Sequence, residues 1–503
     1  MSEKSSYRTI LRSSSIMGGA SVLNILSGIV KMKAAAVLLG PAGVGLVGLY
    51  QNLVQTAATV GALGVGTVGT RQIAAANANG DAASVTVVKR ALFWGSLILS
   101  IFSALLFWLG RNLIATHLLH APERATDVGW LALAVGLSIA SGSQGALLTG
   151  MRRIGDVARV QLMSSLMGAA MGVLALWQWG SSGILVLVLV APLVSFLAGH
   201  LYVSRLERAD ASPVPFITLA REWRGMARLG LALMLSGLIT MAGHLAVRSL
   251  VQQKLGSSEL GQFQAAWSIG MMYLGFVLSA MGTDYYPRLS AVINDHKASV
   301  RLVNEQTEVA LLLCGPVVLA MLAIAPWVIL LLYSAEFAPS VEVLRWQLLA
   351  DILKVMSWPL GFVLLAAGAG KTFVITETTG IGIFVLFTAI GLPLMGVRAT
   401  GVAFLALYLW YLPIVWWLAR RRIGFRWSGA VKQQAFLLLL TAIVVVSLSR
   451  ILETFAAVVG LTCAVAFGLY AMARLGHMAE LGGPVGRLAR MSRRILEKTG
   501  MRV

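Results

Sequence analysis

The stretch 183–204, GILVLVLVAPLVSFLAGHLYVS, decides the fold, because it holds 22 residues and no Asp, Glu, Lys or Arg. At ~1.5 Å per residue a helix of this length crosses a hydrocarbon core of ~30 Å. Working outward, runs of the same kind recur to both ends of the chain. They fall at 14–39, 44–70, 91–114, 128–150, 157–179, 183–204, 229–252, 263–285, 309–333, 343–367, 373–395, 400–419, 434–449 and 454–473. The connections between them are mostly too short to fold alone. Of 503 residues, 58% are hydrophobic and 12% charged. The chain therefore reads as an all-α polytopic membrane protein of about fourteen transmembrane helices. The thirteenth run is short and RILETF (450–455) leaves a tight turn, so twelve spans plus a re-entrant hairpin is the competing count.

The first run is longer than a signal-peptide core and no small-residue cleavage pattern follows it, so it is read as a retained helix. Cys314 and Cys463 are the two cysteines, both inside apolar runs. They suggest neither a disulfide framework nor a metal site, and no cofactor is expected. The formal net charge of +20 points to cytoplasmic loops and an anionic cargo rather than to nucleic acid.

Loop charges orient the chain, since Lys and Arg concentrate on the cytoplasmic side. Lys4, Arg8 and Arg12 precede the first run, whereas GPAG (40–43) after it is uncharged. Arg71, Lys89 and Arg90; Arg152, Arg153 and Arg159; and Arg205, Arg208, Arg221, Arg224 and Arg228 all fall on the same side. So do Arg420, Arg421, Arg422, Arg426 and Lys432, while the opposite connection 334–342 carries Glu336 and Glu342 and no base. Both termini are thus expected to be cytoplasmic. The tail 484–502 sets Leu488, Met491, Ile495 and Leu496 among arginines and a lysine. It reads as a helix on an anionic leaflet or as a solvated basic tail.

A shift of 216 residues places Gly40, Gly45, Gly66 and Thr67 on Gly256, Gly261, Gly282 and Thr283, and maps the first run onto the seventh. Transporters are often built from such repeated halves. The expected division is an N-lobe at 1–210, a C-lobe at 211–430, an extra helical hairpin at 431–474 and a basic tail at 475–503.

Three runs carry polar stripes. Ser236, Thr240, His244, Arg248 and Gln252 recur every four residues on one helical face. Asn24, Ser27 and Lys31 form a second stripe, and Gln347, Asp351, Lys354 and Trp358 a third. Charge at membrane depth costs upwards of ~2.5 kcal/mol per residue, so such groups line a wet path or a ligand. Lys33, about 200° around the helix from Lys31, is read as snorkelling, and Glu377 as lying at the headgroups. Asp351 and Lys354 are spaced to pair. The pair is either a static lock on its helix, WQLLADILKVMSWP (346–359), or a switch. In the switch, Lys354 turns to an anionic cargo and leaves Asp351 to take up a proton, which makes Asp351 the candidate coupling residue. Pro359 offers that helix a place to bend. The sequence shows no Walker A loop, HExxH motif, nucleophile elbow or large extramembrane loop, so an enzyme is not expected.

LGPAGVGLVGLYQ (39–51), TVGTRQIA (67–74), LGSSELGQFQAAWSIG (255–270), YYPRLS (285–290) and WQLLADILKV (346–355) resemble the O-antigen and lipid-linked oligosaccharide flippases of the polysaccharide transporter family. These belong to the multidrug/oligosaccharidyl-lipid/polysaccharide export superfamily. The resemblance covers residues 10–425. It implies two six-helix lobes around a central cavity, working by alternating access, and a cargo of undecaprenyl-diphosphate-linked oligosaccharide in a bacterial inner membrane. Glycan polymerase and chain-length proteins are the implied partners. Lys31, Arg248 and Lys354 supply cations for a diphosphate, with Asn24 and His244 beside them. Two other readings stay open. One is a flippase of peptidoglycan lipid precursor. The other is a multidrug or cation antiporter, which the net basic stripes disfavour.

Overall fold

In the computed structural model the described residues are 3–78, 82–206 and 215–477, with side chains described from residue 19 onward. The side chains of Ser236, Thr283 and Asp284, the N-terminal basic residues, Arg208 and the tail 484–502 lie outside the described residues.

The described chain is helical with short connections: α1 (Glu3–Gly61), α2 (Val65–Ala78), α3 (Ala82–Leu109), α4 (Arg111–Leu113), α5 (Ala125–Gly150), α6 (Ile154–Trp179) and α7 (Gly183–Ser204). There follow α8 (Phe216–Val292), α9 (His296–Leu332), α10 (Ser340–Ala366), α11 (Gly370–Met395), α12 (Arg398–Ile423), α13 (Gly429–Ser449) and α14 (Glu453–His477). Among the described residues, ten helical stretches are long and apolar enough to cross a membrane. Two of them, Gly19–Gly61 and Ile154–Ser204, run to 43 and 51 residues. The first bends at Gly40 and the second joins α6 to α7. Helix faces that no neighbour covers are apolar, as at Ile98, Ile101, Phe102 and Leu105 of α3, each more than half exposed. Exposed apolar side chains in such a row suit lipid.

The break in α1 recurs in α8. Gly40 has φ 64° and ψ −167°, and Gly256 has φ 86° and ψ −179°. This backbone region is essentially open to glycine alone, and the two residues are related by the 216-residue shift. A third interruption, absent from the sequence reading, cuts the expected second run at Gly61. Leu63 and Gly64 both take positive φ before α2 begins. The cause is close packing: a Cβ on Gly64 would lie 2.4 Å from the carbonyl oxygen of Gly230.

The chain divides into two compact units. The first comprises Met1–Gly261 with Leu332–Ser334, the second Gln262–Leu331 with Ala335–Val503. Within the first, α6 packs on α7 and α1, and α5 on α3, α7 and α2. Within the second, α12 packs on α10 and α11, α13 on α14, and α10 on α13. Val309 and Leu312 of α9 form a buried cluster with Ala471 and Leu475 of α14. The same two helices are tied by Arg474 Nε, 2.8 Å from Glu308 Oε1. The Glu308 side chain is only 8% exposed, and Gln434 Nε2 of α13 also donates to it. Arg345 of α10 pairs with Glu453 at the start of α14 at 3.0 Å.

Candidate functional site

In the first unit, the α1 stripe separates into three roles. Ser27 is buried and its hydroxyl donates to Ser165 O of α6 at 2.9 Å, so it ties two helices together. Asn24 keeps a buried Oδ1 with no hydrogen-bond partner among the described residues. Lys31 is half-buried and makes no hydrogen bond or ion pair among the described residues. Lys33 differs from it, donating its Nζ to Tyr333 O. On α8, Arg248 is 4% exposed. Its Nη1 donates to His244 O one turn earlier, 3.1 Å away, folding the guanidinium along its own helix. His244 is half-buried. Gln252 Nε2 donates to Ser257 Oγ, and its Oε1 is buried without a partner among the described residues.

In the second unit, α10 carries its stripe inward. Asp351 is fully buried, and its Oδ2 accepts from the Tyr273 hydroxyl at 2.5 Å, while Oδ1 has no partner among the described residues. One turn earlier, Gln347 is 2% exposed with both amide atoms unpartnered. The expected Asp351–Lys354 ion pair does not form within 4.0 Å among the described residues. Two competing contacts explain this. Tyr273 satisfies one carboxylate oxygen, and the Lys354 ammonium sits 5.5 Å from the Phe404 ring centre and 6.0 Å from that of Tyr408, within reach of the negative aromatic faces. Glu377 of α11 is held by the Tyr411 hydroxyl at 2.5 Å. Glu377, half-buried, thus joins α11 to α12 through Tyr411. Tyr273 of α8, Glu377 of α11 and Phe404, Tyr408 and Tyr411 of α12 are partners that the spacing along α10 does not reveal, since all come from other runs.

A further feature of the first unit had no signal in any one run. A cavity of about 630 Å³ is lined by α1, α2, α3, α5, α6 and α7 with Met234 of α8, and no Asp, Glu, Lys, Arg or aromatic residue is among its lining.

Residues 10–292, more than half of the chain, match the polysaccharide biosynthesis protein family, and the chain belongs to that family. It is a family of transporters, not of enzymes. Among curated relatives, the chain is 25% identical to the lipid III flippase of Escherichia coli (strain K12) over 82% of this chain and 99% of that one. It is 24% identical to the succinoglycan biosynthesis transport protein ExoT of Rhizobium meliloti (strain 1021) over 49% of each. Among solved structures, an inward-facing multidrug resistance MATE family transporter of the MOP superfamily matches with a TM-score of 0.67 at 15% identity, covering 83% of this chain and 98% of that one. The lipid II flippase MurJ in an inward closed conformation matches with a TM-score of 0.66 at 12% identity, covering 92% and 99%. The fold is thus that of the MOP superfamily, in a multi-pass membrane protein. The sequence resemblance to polysaccharide transporters stands, and the family points to transport linked to polysaccharide biosynthesis.

Proposed function

We propose that the chain is a flippase that carries an undecaprenyl-diphosphate-linked oligosaccharide, an O-antigen or related repeat unit, from the cytoplasmic to the periplasmic leaflet of a bacterial inner membrane. Fourteen spans are proposed. The bends at Gly40 and Gly256 split α1 and α8 into two each, α6 and α7 cross separately, and both termini are cytoplasmic. The proposed lobes are 1–210 and 211–430, rocking by alternating access, with the hairpin 431–474 and tail 475–503 appended. Lys31, Asn24, His244, Arg248 and Lys354 are the proposed cargo contacts and Asp351 the coupling residue; glycan polymerase and chain-length proteins are the proposed partners.

The observation that carries this reading is Lys31, a cation inside a span with no partner of its own among the described residues. A diphosphate ester supplies the missing anion, and in a low-dielectric setting such charge-assisted hydrogen bonds are strong. Family membership and the likeness to a lipid III flippase support the same cargo class. The test is reconstitution. Proteoliposomes containing the protein should move a fluorescent undecaprenyl-diphosphate-linked trisaccharide between leaflets, and Lys31→Ala should not. A wild-type protein inert toward this lipid, yet active in exporting a cationic dye, would replace the reading with the antiporter one.

A further inference from the structure

The first-unit cavity has a chemistry of its own. Each of six helices contributes to it one polar side chain that makes no hydrogen bond among the described residues: Gln55 from α1, Thr67 from α2, Ser96 from α3, Ser138 from α5, Gln161 from α6 and Ser195 from α7. Ser96 is only 4% exposed, so its hydroxyl sits deep in the unit with the cavity beside it. Ser138 and Ser195 are half-buried, and Gln55, Thr67 and Gln161 are exposed; polar groups left uncommitted around one space suit a polar occupant. Other hydroxyls of the lining are already engaged, as Thr59 with Gln55 O and Ser164 with Ala191 O. The six are what remains free.

The residue types narrow that occupant. A hydroxyl both donates and accepts, and a glutamine amide offers two donors and an acceptor. Such a set matches a ligand that itself presents donors and acceptors on every side. A phosphate needs cations, which the lining lacks. An apolar drug needs apolar and aromatic walls, and no aromatic ring lines this cavity. A cation needs carboxylates, also absent. What fits is an uncharged polyhydroxylated molecule, and about 630 Å³ falls within the range of small-ligand sites.

We propose that this cavity is a subsite for the neutral sugar portion of the cargo, a short oligosaccharide of hexose or N-acetylhexosamine units, held by hydrogen bonds from these six side chains. The proposal rests on the flippase reading for the origin of the sugar, but the recognition chemistry is a property of the cavity. It divides the work between two parts of the molecule. The cations hold the diphosphate, and the hydroxyl-lined cavity reads the glycan. A glycan bearing carboxylates would enter it without a counter-charge and be rejected.

Two glycines in the lining allow a test that spares the fold. A Cβ at Gly142 or at Gly145 of α5 would meet no atom within 4 Å, so a side chain there grows into open space. Gly142→Leu and Gly145→Leu should fill the cavity while the protein elutes and unfolds as wild type. Gly382→Leu on the exposed side of α11, where a Cβ also meets nothing, is the control. Saturation-transfer NMR on the protein in nanodiscs, with maltotriose, mannotriose and chitotriose as probes, should show binding of at least one neutral trisaccharide and no binding of trigalacturonate. Either leucine variant should abolish the signal, and Ser96→Ala with Ser138→Ala should weaken it about tenfold, the effect of two lost hydrogen bonds. Absence of binding by the wild type, or binding unchanged in Gly142→Leu, would mean a water-filled cleft and overturn the proposal. In proteoliposomes, equal translocation of the lipid-linked trisaccharide by wild type and Gly142→Leu would also overturn it while leaving the flippase reading intact. Should the wild type move no lipid-linked glycan, the flippase reading fails and the free-trisaccharide measurement alone decides this proposal.

Discussion

Gly45 and Gly261, 216 residues apart, meet backbone to backbone. A Cβ on Gly45 would lie 2.7 Å from Gly261 N and 2.5 Å from Ser257 O, and one on Gly261 would lie 1.8 Å from Pro41 O. The two glycines are related by the 216-residue shift, and both lie in the first unit, each five residues beyond a helix break. Gly261→Ala should therefore destabilise the protein by at least about 2 kcal/mol, since the obstacle is backbone and cannot rotate away. Gly256→Ala, whose Cβ meets nothing, should cost about 1–3 kcal/mol from its dihedral angles alone. Gly142→Ala should cost nothing. Thermal unfolding in detergent ranks the three, and an unperturbed Gly261→Ala would refute the close approach.

Arg248 and Lys31 give a transport prediction. Arg248→Ala should lower glycolipid translocation by at least about tenfold, the loss of a charged hydrogen bond. Arg248→Lys should recover only part of it, because a lysine keeps the charge but lacks the planar fork. Lys31→Arg should stay active where Lys31→Ala does not. Initial rates in proteoliposomes at matched protein content read all four.

The Tyr273–Asp351 contact gives a stability prediction. Tyr273→Phe leaves the buried carboxylate with no hydroxyl donor among the described residues and should cost about 1–3 kcal/mol. Asp351→Asn keeps the size and an acceptor, and should cost less. If Asp351 couples transport to protons, Asp351→Asn will translocate at a rate indifferent to an imposed proton gradient. A wild-type response to the gradient in that variant would leave Asp351 a purely structural residue.

Glu308 and Arg474 can be separated by a double-mutant cycle. Arg474→Ala should cost about 1–3 kcal/mol, because Gln434 alone remains to satisfy a buried carboxylate. Glu308→Gln in the same chain should restore most of that, as a neutral amide needs no counter-charge. Additive losses would mean that the pair contributes nothing.

Topology is testable by accessibility. Ala338, just before α10, and Arg422, in the last turn of α12, are both exposed and are assigned to opposite sides. In intact cells Ala338→Cys should react with a membrane-impermeant thiol reagent and Arg422→Cys should not. The reverse pattern would invert the proposed orientation.

Much of the helical plan was legible because apolar runs of membrane length leave little choice of secondary structure. The repeat was legible through Gly40 and Gly256, whose shared dihedral angles only glycine tolerates. The break at Leu63–Gly64 was not, because its cause lies at Gly230, on a helix far along the chain. The polar stripe on α10 was visible from its spacing, but spacing names only partners on the same helix. It therefore suggested Lys354 for Asp351, where the structure supplies Tyr273 from α8 and, for Lys354, aromatic rings from α12. The neutral cavity escaped the reading for the same reason. A single serine, threonine or glutamine in an apolar run stands out little, and the six line one cavity only because six helices bring them together.

The tie between Glu308 and Arg474 also bears on how the chain is made. A ribosome delivers α9 into the membrane more than a hundred and fifty residues before it delivers the arginine that pairs with it. Throughout that interval the Glu308 carboxylate waits without its counter-charge, and the packing of α9 is completed only when the closing helix arrives. A chain cut short between α13 and Arg474 would leave the Glu308 carboxylate with Gln434 as its donor and no counter-charge.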